Sequence, residues 1–69
     1  MNSQFESIEV PIRYLDATFY VDVFVDRENP YAAVIDRITV FEDGLTESDL
    51  PPEKRETAIN LAIDEYNNS

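Results

Sequence analysis

From position 15 to position 26 every second residue is apolar without exception. Leu15, Ala17, Phe19, Val21, Val23 and Val25 share one face, and Asp16, Thr18, Tyr20, Asp22, Phe24 and Asp26 share the other. A period of two in residues this rich in β-branched and aromatic types predicts a long strand over 15–26. Arg27-Glu28-Asn29-Pro30 reads as the following loop, with Pro30 as the breaker. A second strand is expected over 31–42, but its alternation slips once. Ala33 and Ile35 have one parity, Ile38 and Val40 the other. Either a β-bulge at Asp36-Arg37 restores all four to one face, or pairing ends at Asp36. Two strands joined by so short a loop form an antiparallel hairpin.

Upstream, Ile8, Val10 and Ile12 alternate with Glu9, Pro11 and Arg13. This predicts a short strand over 8–12, confined to a sheet edge by Pro11. The parity changes between Tyr14 and Leu15, so a turn or bulge lies there. The segment is either a separate strand or a bent extension of the long one. Near the other end, Ala58, Ile59, Ala62, Ile63 and Tyr66 recur at helical spacing, flanked by Leu61, with Glu53, Glu56, Asn60 and Asp64 mostly opposite. Asp49-Leu50-Pro51-Pro52-Glu53 is a suitable start, because proline is tolerated in a first helical turn. A helix over 52–66 follows. The expected fold is α+β: a small antiparallel sheet of two or three strands with one C-terminal helix packed on one face, as a single domain over 1–69.

One helix covers one sheet face only. A helix over 52–66 is about 22 Å long, and a strand over 15–26 reaches about 36 Å. A compact chain of this size has a radius of gyration near ~11 Å, so such a strand must protrude, bend or be shared. The uncovered face is expected to carry Tyr20 and Phe24 among three aspartates. Under the bulge reading Val34 joins them, with Phe41 or Thr39.

Composition narrows what such a face can do. The 69 residues include 15 Asp and Glu against 5 Lys and Arg, a net charge of −10, with 43% apolar residues. That apolar content, placed this regularly, argues for a packed core over disorder. The chain has no Cys and no His. Disulfides, Cys/His zinc sites, thiol nucleophiles and imidazole bases are therefore excluded. The single glycine, Gly44, excludes Gly-rich phosphate loops. So much negative charge disfavours direct binding to nucleic acid or to anionic membranes. The first residues lack the pattern of a signal peptide, which predicts a cytoplasmic protein and sets aside the Asn67-Asn68-Ser69 sequon. The acidic window from Glu42 to Glu53 fails the spacing of a calcium loop, since Thr39 and Phe41 stand where oxygen ligands belong. Thr46-Glu47-Ser48-Asp49 is better read as helix capping. Paired carboxylates doing acid–base work need a desolvating cleft, for which a single-layer sheet has little room. No enzyme activity, metal or cofactor is expected.

What remains is electrostatic. A strongly acidic surface draws basic partners and speeds their association. The expected partner-binding residues are Asp16, Tyr20, Asp22, Phe24 and Asp26 on the open face, with Glu42, Asp43, Glu47 and Asp49 as a second acidic patch. The carboxylates would steer and the two aromatics would anchor. Solubility is the alternative use of the charge.

The strand Thr18-Phe19-Tyr20-Val21-Asp22-Val23-Phe24-Val25-Asp26 and its Pro-containing loop are followed by Ala33-Val34-Ile35-Asp36-Arg37-Ile38-Thr39-Val40. An acidic turn, Asp49-Leu50-Pro51 and the C-terminal helix complete the series. From Thr18 onward this pattern resembles small acidic accessory proteins encoded by bacteriophages. The resemblance implies a non-catalytic inhibitor of a host nucleic-acid enzyme or defence complex, acting in the host cytoplasm through a carboxylate surface that imitates DNA. It carries no catalytic residues across. Two other functions fit the same residues: a homodimer through the open sheet face, and an antitoxin-like neutraliser of a basic protein.

Overall fold

A computed structural model describes residues 4–68. Residues 1–3, and Ser69 of the sequon, lie outside the described residues. Three strands, β1 (Phe5–Tyr14), β2 (Ala17–Asp26) and β3 (Val34–Val40), precede one long helix, α1 (Pro52–Asn67). The strands form one antiparallel sheet in the order β1-β2-β3, so the most regularly alternating segment is its centre. The fold is the expected small α+β arrangement.

The upstream segment is a separate strand of ten residues (five more than the 8–12 span), because the alternation of Ile8, Val10 and Ile12 continues in both directions. It pairs with β2 along its whole length, from Phe5 opposite Asp26 to Tyr14 opposite Ala17. It is an edge strand, as Pro11 requires.

The parity break at 14–15 is a two-residue hairpin turn. Leu15 and Asp16 have φ of +54° and +56°, as a type I′ turn demands of both its central residues. The 15–26 span is therefore corrected to a strand beginning at Ala17. Leu15 leaves the core face and is 56% exposed. Leu15 is unsuited to this backbone, where a Cβ crowds the next carbonyl, and Asp16 tolerates it less readily than glycine would. The double variant Leu15→Asn/Asp16→Gly should stabilise the domain by about 1 kcal/mol. Urea titration should show the gain as a higher midpoint at unchanged slope.

The 31–42 span is also corrected. Pro30–Ala32 forms a 3-10 turn closed by the Ala32 N–H on the Asn29 carbonyl at 2.9 Å, which removes Tyr31 from the sheet. Phe41 and Glu42 lie beyond the last pair, Phe19 with Val40. Between them the register shifts once: Asp22 faces Arg37, but Val23 faces Ile35. Asp36 is the extra residue of a bulge, and Ile35, Ile38 and Val40 all turn toward the helix.

The core lies between this sheet face and α1. Phe19, Val21, Val23 and Val25 are fully buried, with Ile8, Val10, Ile12 and Ile38 beside them. The helix answers with Ala58 and Ala62, whose short side chains let its backbone approach the sheet, and with Ile59 and Tyr66. Leu61 stays exposed. Among the described residues no polar side chain is buried. The molecule measures 39 × 22 × 19 Å with a radius of gyration of 12.4 Å, longer than a compact chain of this size because the ten-residue strands set its long axis.

The chain enters the helix through a built corner. Glu47–Asp49 forms a 3-10 turn in which the Asp49 carboxylate accepts the Thr46 N–H at 2.8 Å. Leu50 then drops into the core, and Pro51 and Pro52 open the helix with φ already set. The Arg55 guanidinium donates back to the Leu50 carbonyl at 2.9 Å and the Glu47 carbonyl at 2.8 Å.

Candidate functional site

Among the described residues the sheet face away from α1 is covered by no other element, and strand pairing orders it into rows. At the β1–β2 hairpin end, Arg13 donates to the Thr18 hydroxyl at 2.9 Å. Next come Pro11, Tyr20 and Thr39, one from each strand. The middle row is Glu9, Asp22 and Arg37; beyond it lie Ser7, Phe24 and Val34. Phe5 and Asp26 close the far end.

Apolar groups gather at both ends of the face. Phe5 packs on Phe24 with ring centroids 6.2 Å apart, near exposed Val34. At the other end Phe41, 80% exposed, meets the Tyr20 ring edge-on at 5.9 Å. Phe41 thus stands as a ridge between two shallow depressions. One, of about 350 Å³, is floored by Glu9, Tyr20, Asp22, Arg37 and Thr39. The other, of about 200 Å³, lies among Arg13, Thr18, Tyr20 and Glu42. Both are open to solvent; the first holds two carboxylates, Glu9 and Asp22, with Arg37 beside them.

The expected residues are brought together only in part. Tyr20, Asp22, Phe24 and Asp26 share the open face. Asp16 does not: it sits in the hairpin turn, because the two-residue loop needs that position. Asp26 is already engaged, accepting the Glu28 N–H at 2.9 Å and the Gln4 side-chain amide at 3.3 Å. Asp49 is engaged in the corner before α1. Glu42 borders the open face beside Arg13, whereas Asp43 and Glu47 are exposed on the loop leading to the helix. The expected acidic face thus separates into two surfaces.

The open face also holds residues that the sequence pattern had not singled out. Phe5, Glu9 and Arg13 come from β1, and Arg37 from β3. Carrying the β1 alternation back to Phe5 would have placed the first three. The two arginines nearly balance the acids of this face. The unbalanced charge lies elsewhere: eight carboxylates from Glu42 to Glu65 are all exposed, with only Lys54 and Arg55 among them. Among the described residues the one ion pair is Arg27 with Glu6, at 3.7 Å, so none of the eight is neutralised by a paired base.

No three His, Cys, Asp or Glu groups gather as a metal site among the described residues. Among the same residues no helix is long and apolar enough to cross a membrane. No protein-family model, no curated protein and no solved structure matches the chain.

Proposed function

We propose that this chain is a non-catalytic acidic module that binds a protein partner with a basic surface. The observation that carries the reading is the run of eight exposed carboxylates along the 42–65 loop and helix, none of them in an ion pair among the described residues. Held on a rigid helix and a capped corner, these groups form a fixed array of negative charge. Such an array steers a basic surface into contact and selects against acidic ones. The basic clefts that suit it best are those shaped for phosphates, so the chain acts as a decoy for nucleic acid. On this reading it inhibits a nucleic-acid enzyme or defence complex of the host, in the manner of small bacteriophage proteins.

The test compares capture from bacterial lysate by the wild-type chain and by Asp43→Asn/Glu47→Gln/Glu53→Gln/Glu56→Gln. These four side chains are exposed and make no hydrogen bond that the fold depends on. Partners identified by mass spectrometry should bind the wild type at least about tenfold more tightly at ~0.05 M salt than at ~0.5 M. The variant should lose about tenfold at low salt while melting as the wild type does. Equal binding by both proteins at both salt concentrations sinks the decoy reading.

A further inference from the structure

The open sheet face differs from the rest of the surface in charge. Glu9, Asp22 and Asp26 stand against Arg13 and Arg37, a net −1, or −2 with Asp36 at the bulge included. The remaining −9 or −8 of the total −10 lies outside it. A basic partner is drawn to that remainder. The open face suits a surface that is equally near neutrality and has matching rows of apolar and charged groups.

A second copy of this chain offers such a surface. We propose that two copies pack open face to open face about a two-fold axis running along β2. Two in-plane axes bring these faces together with the strands aligned and the middle rows overlaid. An axis crossing the strands at the middle row sets Glu9 over Glu9, Asp22 over Asp22 and Arg37 over Arg37, which is repulsive three times. An axis along β2 lays β1 of one copy over β3 of the other, because these strands flank β2. Glu9 then meets the second copy's Arg37, and the pairing occurs twice by symmetry. The same operation sets Phe41 against the second copy's Arg13, a cation over an aromatic face. Tyr20 and Phe24 lie on the axis and meet their own counterparts. The aligned packing of two twisted sheets, at about −30°, keeps rows near the axis in register.

Two contacts oppose association: the Asp22 carboxylates meet on the axis between the two Arg37 guanidiniums, and the Asp26 carboxylates meet on it at the far end, where each already accepts the Glu28 N–H and the Gln4 amide. Two strands of ten residues and one of seven present a face of about 14 Å by at most about 33 Å. That is small for a permanent interface, so the dimer should be weak, forming at roughly 10 to 100 μM.

Sedimentation equilibrium of the full chain, up to about 1 mM, tests the proposal. The wild type should dimerise. Glu9→Arg or Arg37→Glu alone should weaken the dimer at least about tenfold. The double exchange Glu9→Arg/Arg37→Glu should return it to within about threefold of wild type. Asp22→Asn should tighten it, whereas a basic partner held by this face would bind that variant less well. The chain has no cysteine of its own, so Phe24→Cys should oxidise to a covalent dimer faster than Asn60→Cys on the exposed helix face. Circular dichroism confirms that each variant is folded. A folded wild type that stays monomeric at 1 mM overturns the dimer. A double exchange no better than the single ones overturns the axis. The quadruple carboxylate variant, which tests the decoy function, should dimerise at least as well as wild type, so the two readings fail separately.

Discussion

Phe19→Ala should leave the chain unfolded at room temperature. Phe19 is the largest fully buried side chain. It stands near the hairpin end of β2, between the two outer strands, with the Tyr14 ring 6.4 Å away and Val40 opposite. Truncating a buried phenylalanine removes its transfer energy and leaves a cavity, costing about 3–5 kcal/mol. A domain of this length, with no disulfide or buried polar network to support it, rarely exceeds about 3–5 kcal/mol in total. The two quantities match, so the native state loses its margin. Phe19→Leu keeps most of the volume and should cost less than about 1.5 kcal/mol. Circular dichroism melts distinguish the cases. The alanine variant should show no cooperative transition, while the leucine variant shifts by up to roughly 10 °C. A cooperative melt for Phe19→Ala within about 5 °C of wild type would contradict the core described above.

The second large effect is expected at Arg55, a half-buried side chain on the first turn of α1. Its two bonds, to the carbonyls of Glu47 and Leu50, fasten the corner that carries Leu50 into the core. Hydrogen bonds from a charged group contribute about 1.5–3 kcal/mol each. Water replaces part of that at the Glu47 carbonyl, which is exposed. Arg55→Ala should therefore cost about 2–3 kcal/mol, with urea denaturation as the measure. Lysine cannot span both carbonyls as the planar guanidinium does, so Arg55→Lys should recover about half. Limited proteolysis adds a local reading. Cleavage between residues 42 and 50 should rise in Arg55→Ala under conditions where the sheet remains intact. Uniform cleavage along the chain would instead mean that Arg55 supports the whole domain and not this corner.

Period alone made the central strand, the edge strand and the helix legible, because each buries one face along its whole length. The bulge was legible as one of two alternatives, from the parity change between Ile35 and Ile38. What the pattern hid was the turn at Leu15 and Asp16. Leucine continues an apolar alternation and carries none of the Asn-Gly chemistry that marks such turns, so it extended the strand on paper by two residues. That error carried Asp16 onto the open face, where it does not lie. The charge balance of that face was hidden for a different reason. Arg13 and Arg37 are 24 positions apart in the chain, and only the pairing of both outer strands with β2 brings them onto one surface. Asp26 counted as a free carboxylate because nothing in the alternation marks the Glu28 N–H it accepts, whereas the role of Asp49 was legible as capping in Thr46-Glu47-Ser48-Asp49.

The two outer strands share one further property: each interrupts its own free edge. On β1 the interruption is Pro11, which removes a donor from the edge. On β3 it is the bulge at Asp36, which kinks the strand and adds twist. Without Asp36 the β3 alternation would be regular, so that residue is an insertion whose effect is on shape. A protein with exposed aromatic rings on bare β-structure would otherwise be a template for endless strand addition. Here stacking strand upon strand is blocked at both margins, while contact through the flat of the sheet is left open. Growth by edges yields fibrils, and pairing by faces about a two-fold stops at two. The placement of one proline and one extra aspartate therefore works against growth along the sheet margins while leaving the flat of the sheet untouched.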